Sequence, residues 1–246
     1  MIDQTFIFVC AVFIAAGFVK GVIGLGLPTI SMGLLAIVMP PVQAAALLLL
    51  PSFITNVWQM IAGPGLLSVL RRFWLMMVGI CLGTWAGLGL MTGASARYGP
   101  ALLGIALVVY AITGLAAIRM PTPKKWEPVM SPIIGAVTGL ITAATGVFVI
   151  PAVPYLQAVG LEKEELVQAL GLSFTISTLA LAVNVAAEGA FHFDMASETV
   201  IALALACFGM WGGQTLRRRM APQIFRRWFF IGLLALGVYL AAKAFI

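Results

Sequence analysis

One lysine sits among glycines inside an otherwise apolar run: residues 17–31 read G-F-V-K-G-V-I-G-L-G-L-P-T-I-S. Gly17, Gly21, Gly24 and Gly26 each lower helix propensity by roughly 1 kcal/mol relative to alanine, and Pro28 removes a backbone donor. A helix broken at membrane depth must have its freed backbone groups satisfied by protein, water or a ligand. A broken end that aims N–H groups into a cavity favours an anion there. Lys20 has two readings. It can snorkel to the interface, since it lies near the end of its run, or it can face a cavity as the countercharge of an anionic ligand. The helix-breaking glycines on either side favour the second, so Lys20, Gly24 and Gly26 are expected to form half of an anion site.

The second half of the chain offers a counterpart in Thr142-Ala-Ala-Thr145-Gly146, with Pro151 and Pro154 beyond. Freed amides and the hydroxyls of Thr142 and Thr145 suit carboxylate or sulfonate oxygens, which accept several hydrogen bonds. The plain alternative is that both threonines bond back to carbonyls of their own helix. Thr138 stands where Lys20 stands in the first half, so the site is asymmetric in charge. Each hairpin is followed by a run with polar residues at helical spacing: Gln43, Ser52, Thr55, Asn56 and Gln59, then Gln168, Ser173, Ser177 and Asn184. Interhelical hydrogen bonds account for most such residues. Gln43 and Gln168 are set apart, because they match each other and start their runs beside the breaks.

No Asp, Glu or His falls within any apolar run, and His192 is the single histidine. An intramembrane protease or acid–base enzyme needs a nucleophile with a base in reach, and a metal exporter needs His, Asp or Cys clusters. The pattern therefore argues against an enzyme, a metal site or a cofactor. It also weakens a carboxylate proton relay.

The elements that position these residues are read from hydropathy. The 246 residues are 62% hydrophobic and 9% charged, where a soluble domain carries about 25% charged residues. This is the composition of an integral membrane protein. The net charge of +6 is dispersed in short clusters between apolar runs, which argues for membrane topology rather than nucleic-acid binding. Cys10, Cys81 and Cys207 lie in apolar runs, an odd number unsuited to a disulfide framework and read as small buried hydrophobes. No cleavable signal is expected at the N-terminus. With about 20 residues per span, the runs are 5–23, a short 27–39, 42–61, 73–91 and 99–118. A basic linker follows, and then 129–145, a short 147–159, 166–187, 199–216 and 228–245. Arg71, Arg72, Arg119, Lys124, Lys125, Lys163, Arg217, Arg218, Arg219, Arg226 and Arg227 fall in loops on one face, which is the inside. Arg97, Glu188, Asp194 and Glu198 fall on the other, together with both chain ends.

Two sequence matches point to repeats. Cys81-Leu-Gly83-Thr-Trp85-Ala-Gly87 is answered half a chain later by Cys207-Phe-Gly209-Met-Trp211-Gly-Gly213. Gly17-x-x-x-Gly21 corresponds to Gly135-x-x-x-Gly139, and Val42-Gln43-Ala44 to Val167-Gln168-Ala169, with 162–165 supplying a longer loop. The Gly-x-Trp-x-Gly blocks read as close helix packing with a tryptophan wedge, and Pro51 as a kink. The expected fold is an all-α membrane protein of two inverted repeats, 1–118 and 129–246, joined by a cytoplasmic basic linker, 119–128. Each repeat is a broken-helix hairpin followed by three transmembrane helices, the pattern of secondary transporters with a midplane site.

The paired glycine and Gly/Thr hairpins, each leading into Val-Gln-Ala, resemble the TauE/SafE sulfite exporter family over nearly the whole chain. One difference is Leu27-Pro28, where many members continue with glycines. The resemblance implies a permease of the bacterial inner membrane for small anions such as sulfite, sulfoacetate or another organosulfonate, in either direction. It maps Lys20, Gly24, Gly26, Gln43, Thr142, Thr145, Gly146 and Gln168 to the substrate region. Proton coupling is expected partly on the same ground, with the proton riding on the substrate. The partners implied are a small anion and the lipid bilayer, with the oligomeric state open and a homodimer among the options. A passive anion channel and a non-transporting scaffold are the alternatives.

Overall fold

The computed structural model describes residues 4–92, 96–116, 124–189, 196–217 and 222–243. The inferences on Arg119, His192, Asp194, Arg218 and Arg219 lie outside them. Among the described residues ten α-helices follow in the order α1 (Gln4–Ile23), α2 (Leu27–Leu35), α3 (Pro41–Ile61), α4 (Leu66–Ala86), α5 (Gly99–Leu115), α6 (Glu127–Thr145), α7 (Ala152–Ala158), α8 (Lys163–Ala187), α9 (Ala196–Arg217) and α10 (Pro222–Lys243). Among the described residues there is no strand, and eight helices are long and apolar enough to cross a bilayer. The two that are not, α2 and α7, have nine and seven residues. At 1.5 Å per residue neither spans ~30 Å of hydrocarbon.

Both breaks are present. Gly24 (φ 77°) and Gly26 (φ 107°) take left-handed backbone between α1 and α2, which residues with a Cβ rarely adopt. Gly146 (φ 70°) ends α6, and residues 147–151 run to α7 without helical structure. This corrects the expected helical run 147–159: its first five residues are apolar but not helical, with 147–150 buried and Pro151 half-buried. Hydropathy does not separate the two states. Three other boundaries move for one reason. Arg71 and Arg72 lie inside α4, Arg226 and Arg227 inside α10, and Lys163 opens α8. Basic residues are good helix formers whose heads reach water while their stems stay on the helix. Glu162 is the N-cap of α8 and forms a capping box with Glu165, so 162–165 is a helix start rather than a loop insertion.

Helix packing follows the order of elements. The α1–α9 and α4–α6 pairs are the most extensive, followed by α5–α10 and α3–α8. If α1–α5 are exchanged with α6–α10, each of these pairings maps onto another of the four or onto itself. Glycines make the first two close. A Cβ on Gly17 or Gly21 would lie 2.1 or 2.2 Å from the carbonyl oxygen of Ala206 or Met210 on α9. A Cβ on Gly135 or Gly139 would lie 2.2 Å from that of Met76 or Ile80 on α4. Gly83 and Gly209 meet Ala136 and Ile14 in the same way. The tryptophans between these glycines do not wedge the helices: Trp85 and Trp211 are 69% and 67% exposed and point outward. Cys81 is likewise exposed on an outer surface rather than buried.

The centre is α3 and α8. Of their span residues 61% are buried, against 22% and 28% for α9 and α10. At one end of the molecule Arg72 pairs with both carboxylate oxygens of Glu127 (2.9 and 2.7 Å) and donates to the Val159 carbonyl at 3.0 Å, tying α4, α6 and the α7–α8 turn. Elsewhere Glu188, after α8, accepts from the Gly89 amide after α4 at 2.6 Å.

Candidate anion site

The end of α1 carries Lys20 into the α3–α8 core. The side chain is 5% exposed, and its Nζ donates to Thr55 Oγ1 at 3.0 Å and to Asn56 Oδ1. This is not the geometry of a snorkelling lysine. Asn56 Nδ2 continues across to Thr178 Oγ1 on α8 at 3.3 Å. Thr55 and Thr178 in turn donate to carbonyls of their own helices, Pro51 and Phe174 (both 2.7 Å). The chain Lys20–Asn56–Thr178 thus joins three helices through neutral oxygens only. Among the described residues no carboxylate pairs with Lys20.

Around this chain lie hydroxyls with nothing to bond. Ser52 stands one turn before Asn56 on α3, Ser177 stands next to Thr178 on α8, and Ser173 is one turn before Ser177. All three are fully buried, and none of their oxygens has a hydrogen-bond partner among the described residues. Ser31 on α2 is in the same condition. Buried polar groups are nearly always satisfied, so a group of orphans on two facing helices calls for an explanation.

The threonines expected to serve the site are committed elsewhere. Thr142 Oγ1 donates to the Thr138 carbonyl and Thr145 Oγ1 to the Ile141 carbonyl, both at 2.7 Å. Back-bonding is therefore the geometry that both adopt. Their protons are used, and the lone pairs left over do not attract an anion. Thr145 Oγ1 also accepts the Val147 amide at 3.2 Å and so helps end α6. Gly146 lies against Met32 of α2, bringing the second break beside the first hairpin.

The glutamines separate. Gln168 is buried, with Nε2 donating to the carbonyls of Met60 and Gly63 (2.8 Å each) and Oε1 accepting the Gly65 amide at 2.9 Å. It fastens the α3–α4 loop and is not joined to Lys20. Gln43 is exposed at the start of α3. Gln59 and Asn184 bridge helices, to the Val167 and Thr84 carbonyls at 3.1 and 2.8 Å.

Glycine breaks at 24–26 and 146, the α3–α8 polar seam and the paired halves all lie inside one matched region: the sequence fits the family described as Sulfite exporter TauE/SafE over residues 9–240. The chain belongs to the TauE/SafE family. Neither a curated protein nor a solved structure gives a match. Membership places the chain among multi-pass membrane transport proteins of a family tied to sulfur oxyanions, not among enzymes. Sequence reasoning named Thr55 and Asn56 as polar helix residues but assigned them to packing, and passed over Thr178. For Thr55 and Asn56 the available signal was their position one turn beyond Pro51, which interrupts the hydrogen-bond ladder of α3.

Proposed function

We propose that this TauE/SafE protein is a secondary transporter carrying small sulfur-containing or carboxylated anions, such as sulfite, sulfoacetate or another organosulfonate, across the bacterial inner membrane by alternating access. One observation carries the reading: Lys20 is buried to 5% exposure with only neutral oxygens on its Nζ. A buried ammonium without a carboxylate is electrostatically incomplete, and a mobile anion completes it. An ammonium has three N–H donors and two are used, leaving one for a ligand oxygen. The unpartnered hydroxyls of Ser52, Ser173 and Ser177 supply further donors of the right kind.

On this reading Gly24 and Gly26 free the backbone beside Lys20. Thr142, Thr145 and Gly146 shape the second break, Gln168 holds the α3–α4 loop, and Gln43 contacts the anion only in another state of the cycle. The close α1–α9 and α4–α6 pairs move as rigid units against the α3–α8 core, as expected of two inverted halves. The basic end is cytoplasmic, and both chain ends are periplasmic. With no carboxylate in the apolar runs, a coupled proton travels on the substrate. The test is sulfite flux in proteoliposomes. Uphill accumulation that collapses with an uncoupler supports the transporter, whereas passive equilibration unaffected by it identifies a channel. No flux for sulfite, sulfonates or carboxylates identifies a scaffold.

A further inference from the structure

A polar cavity that Lys20 does not line lies where α5, α7 and α10 meet the first break. Its volume is about 110 Å3, well above the ~10–15 Å3 that admits one water, and Ile23, Leu25, Val153 and Pro154 form part of its wall. Four groups bring chemistry to it: Arg226, Tyr110, Gln157 and Thr113. None of the residues lining it is acidic.

The cationic group is held in place. Arg226 stacks over the Phe230 ring (5.5 Å to the centroid), and one guanidinium nitrogen reaches the Gly114 carbonyl at 3.5 Å. A guanidinium has five N–H donors, so most remain for a ligand. Tyr110 is 2% exposed, its ring is packed edge-on against Phe230 at 5.1 Å, and its hydroxyl has no partner among the described residues. A buried phenol beside a fixed guanidinium, with an amide at hand and no acid, is a set of donors awaiting an acceptor. The Thr113 hydroxyl bonds its own helix and contributes shape rather than a proton.

We infer that this cavity is an oxyanion site, in which Arg226, the Tyr110 hydroxyl and the Gln157 amide hold a small sulfonate, sulfite or phosphate group at the basic end of the molecule, beside the α1–α2 break. The oxyanion comes either from a soluble anion or from the headgroup of an anionic lipid, since the same donors serve both. The inference does not depend on Lys20.

The test uses the full-length chain carrying Lys20→Met, purified in detergent and titrated calorimetrically with sulfite, alongside native mass spectrometry after exposure to phosphatidylglycerol. The expected result is sulfite binding that persists in Lys20→Met and weakens at least about tenfold when Arg226→Gln is added, the loss of one charge-assisted contact. Retention of phosphatidylglycerol that Arg226→Gln abolishes supports the site equally and assigns it to lipid. Should Arg226→Gln fail to fold, Tyr110→Phe decides: it removes one oxygen and is expected to weaken the same binding several-fold. If Lys20→Met binds neither probe, or if both variants leave binding unchanged, the site is refuted. Equal sulfite affinity in wild type and Lys20→Met overturns the role of Lys20 alone and leaves this inference standing if Arg226→Gln still removes the binding.

Discussion

Replacing Gly83 by alanine puts one methyl group where the α4–α6 pair has no room. The added Cβ would sit 2.0 Å from the Ala136 carbonyl oxygen and 2.7 Å from its carbon, where ordinary contact begins at 3.4 Å. The obstacle is backbone, so no side chain can turn aside. The helices must part by more than 1 Å, and a gap of ~0.5–1 Å already forfeits a quarter to a half of the dispersion energy of the atoms facing it. Overpacking of this kind costs about 1–3 kcal/mol. For a chain of 150–250 residues each kcal/mol moves the melting temperature by about 2–4 °C, so Gly83→Ala is expected to melt about 2–12 °C lower. Gly209→Ala, whose Cβ would meet the Ile14 oxygen at 2.1 Å on the α1–α9 pair, should fall by a similar amount. Gly232 is the control: it lies inside α10 with nothing within 4 Å of an added Cβ, so alanine there should be neutral or stabilising. The assay is thermal unfolding of detergent-purified protein followed by intrinsic fluorescence. If Gly83→Ala and Gly209→Ala melt with wild type while Gly232→Ala does not differ from them, close backbone approach is not what joins these helices.

Gln168→Leu should lower the melting temperature by several degrees and leave sulfite affinity unchanged, because its three hydrogen bonds hold a loop; a selective loss of affinity would return it to the site. Ser177→Ala should weaken sulfite binding several-fold while Thr142→Val leaves it intact, since only the serine has an uncommitted proton; calorimetry showing the reverse order would refute the donor assignment. Arg72→Ala and Glu127→Ala should each cost about 1–3 kcal/mol in unfolding experiments, with the double variant costing less than the two together; strict additivity would show the pair to be independent.

Hydropathy found the helices because a bilayer imposes one length on every span. Glycine spacing found the close packing at 81–87 and 207–213 but not which helices meet, and Gly17 and Gly21, read as helix breakers, lie inside α1 where a missing Cβ lets its backbone touch α9. Failures occurred where a residue's type allows two environments. Arg71 and Arg72 mark the membrane edge equally well in a loop or in the second turn of a helix. Residues 147–150 are apolar because they are buried, and burial does not specify helix. Gln43 and Gln168 occupy matched sequence positions, yet one is exposed and the other fastens a loop. Lys20 was recognisable because a charge among glycines in an apolar run is conspicuous. Its partners were not, since Asn56 and Thr178 lie 36 and 158 positions away, and only tertiary packing brings them together. The cavity at Arg226 gathers residues from four separate segments, and none of its polar residues belongs to a motif.

The account rests on Lys20 serving as the buried countercharge of the transported anion. Its most direct measurement is sulfite affinity of wild type, Lys20→Arg and Lys20→Met by calorimetry on folded, detergent-purified protein. Loss of one charged hydrogen bond, worth about 1.5–3 kcal/mol, predicts binding about 10- to 100-fold weaker in Lys20→Met, with partial retention in Lys20→Arg. Unchanged affinity in Lys20→Met, in protein that melts as wild type does, contradicts it.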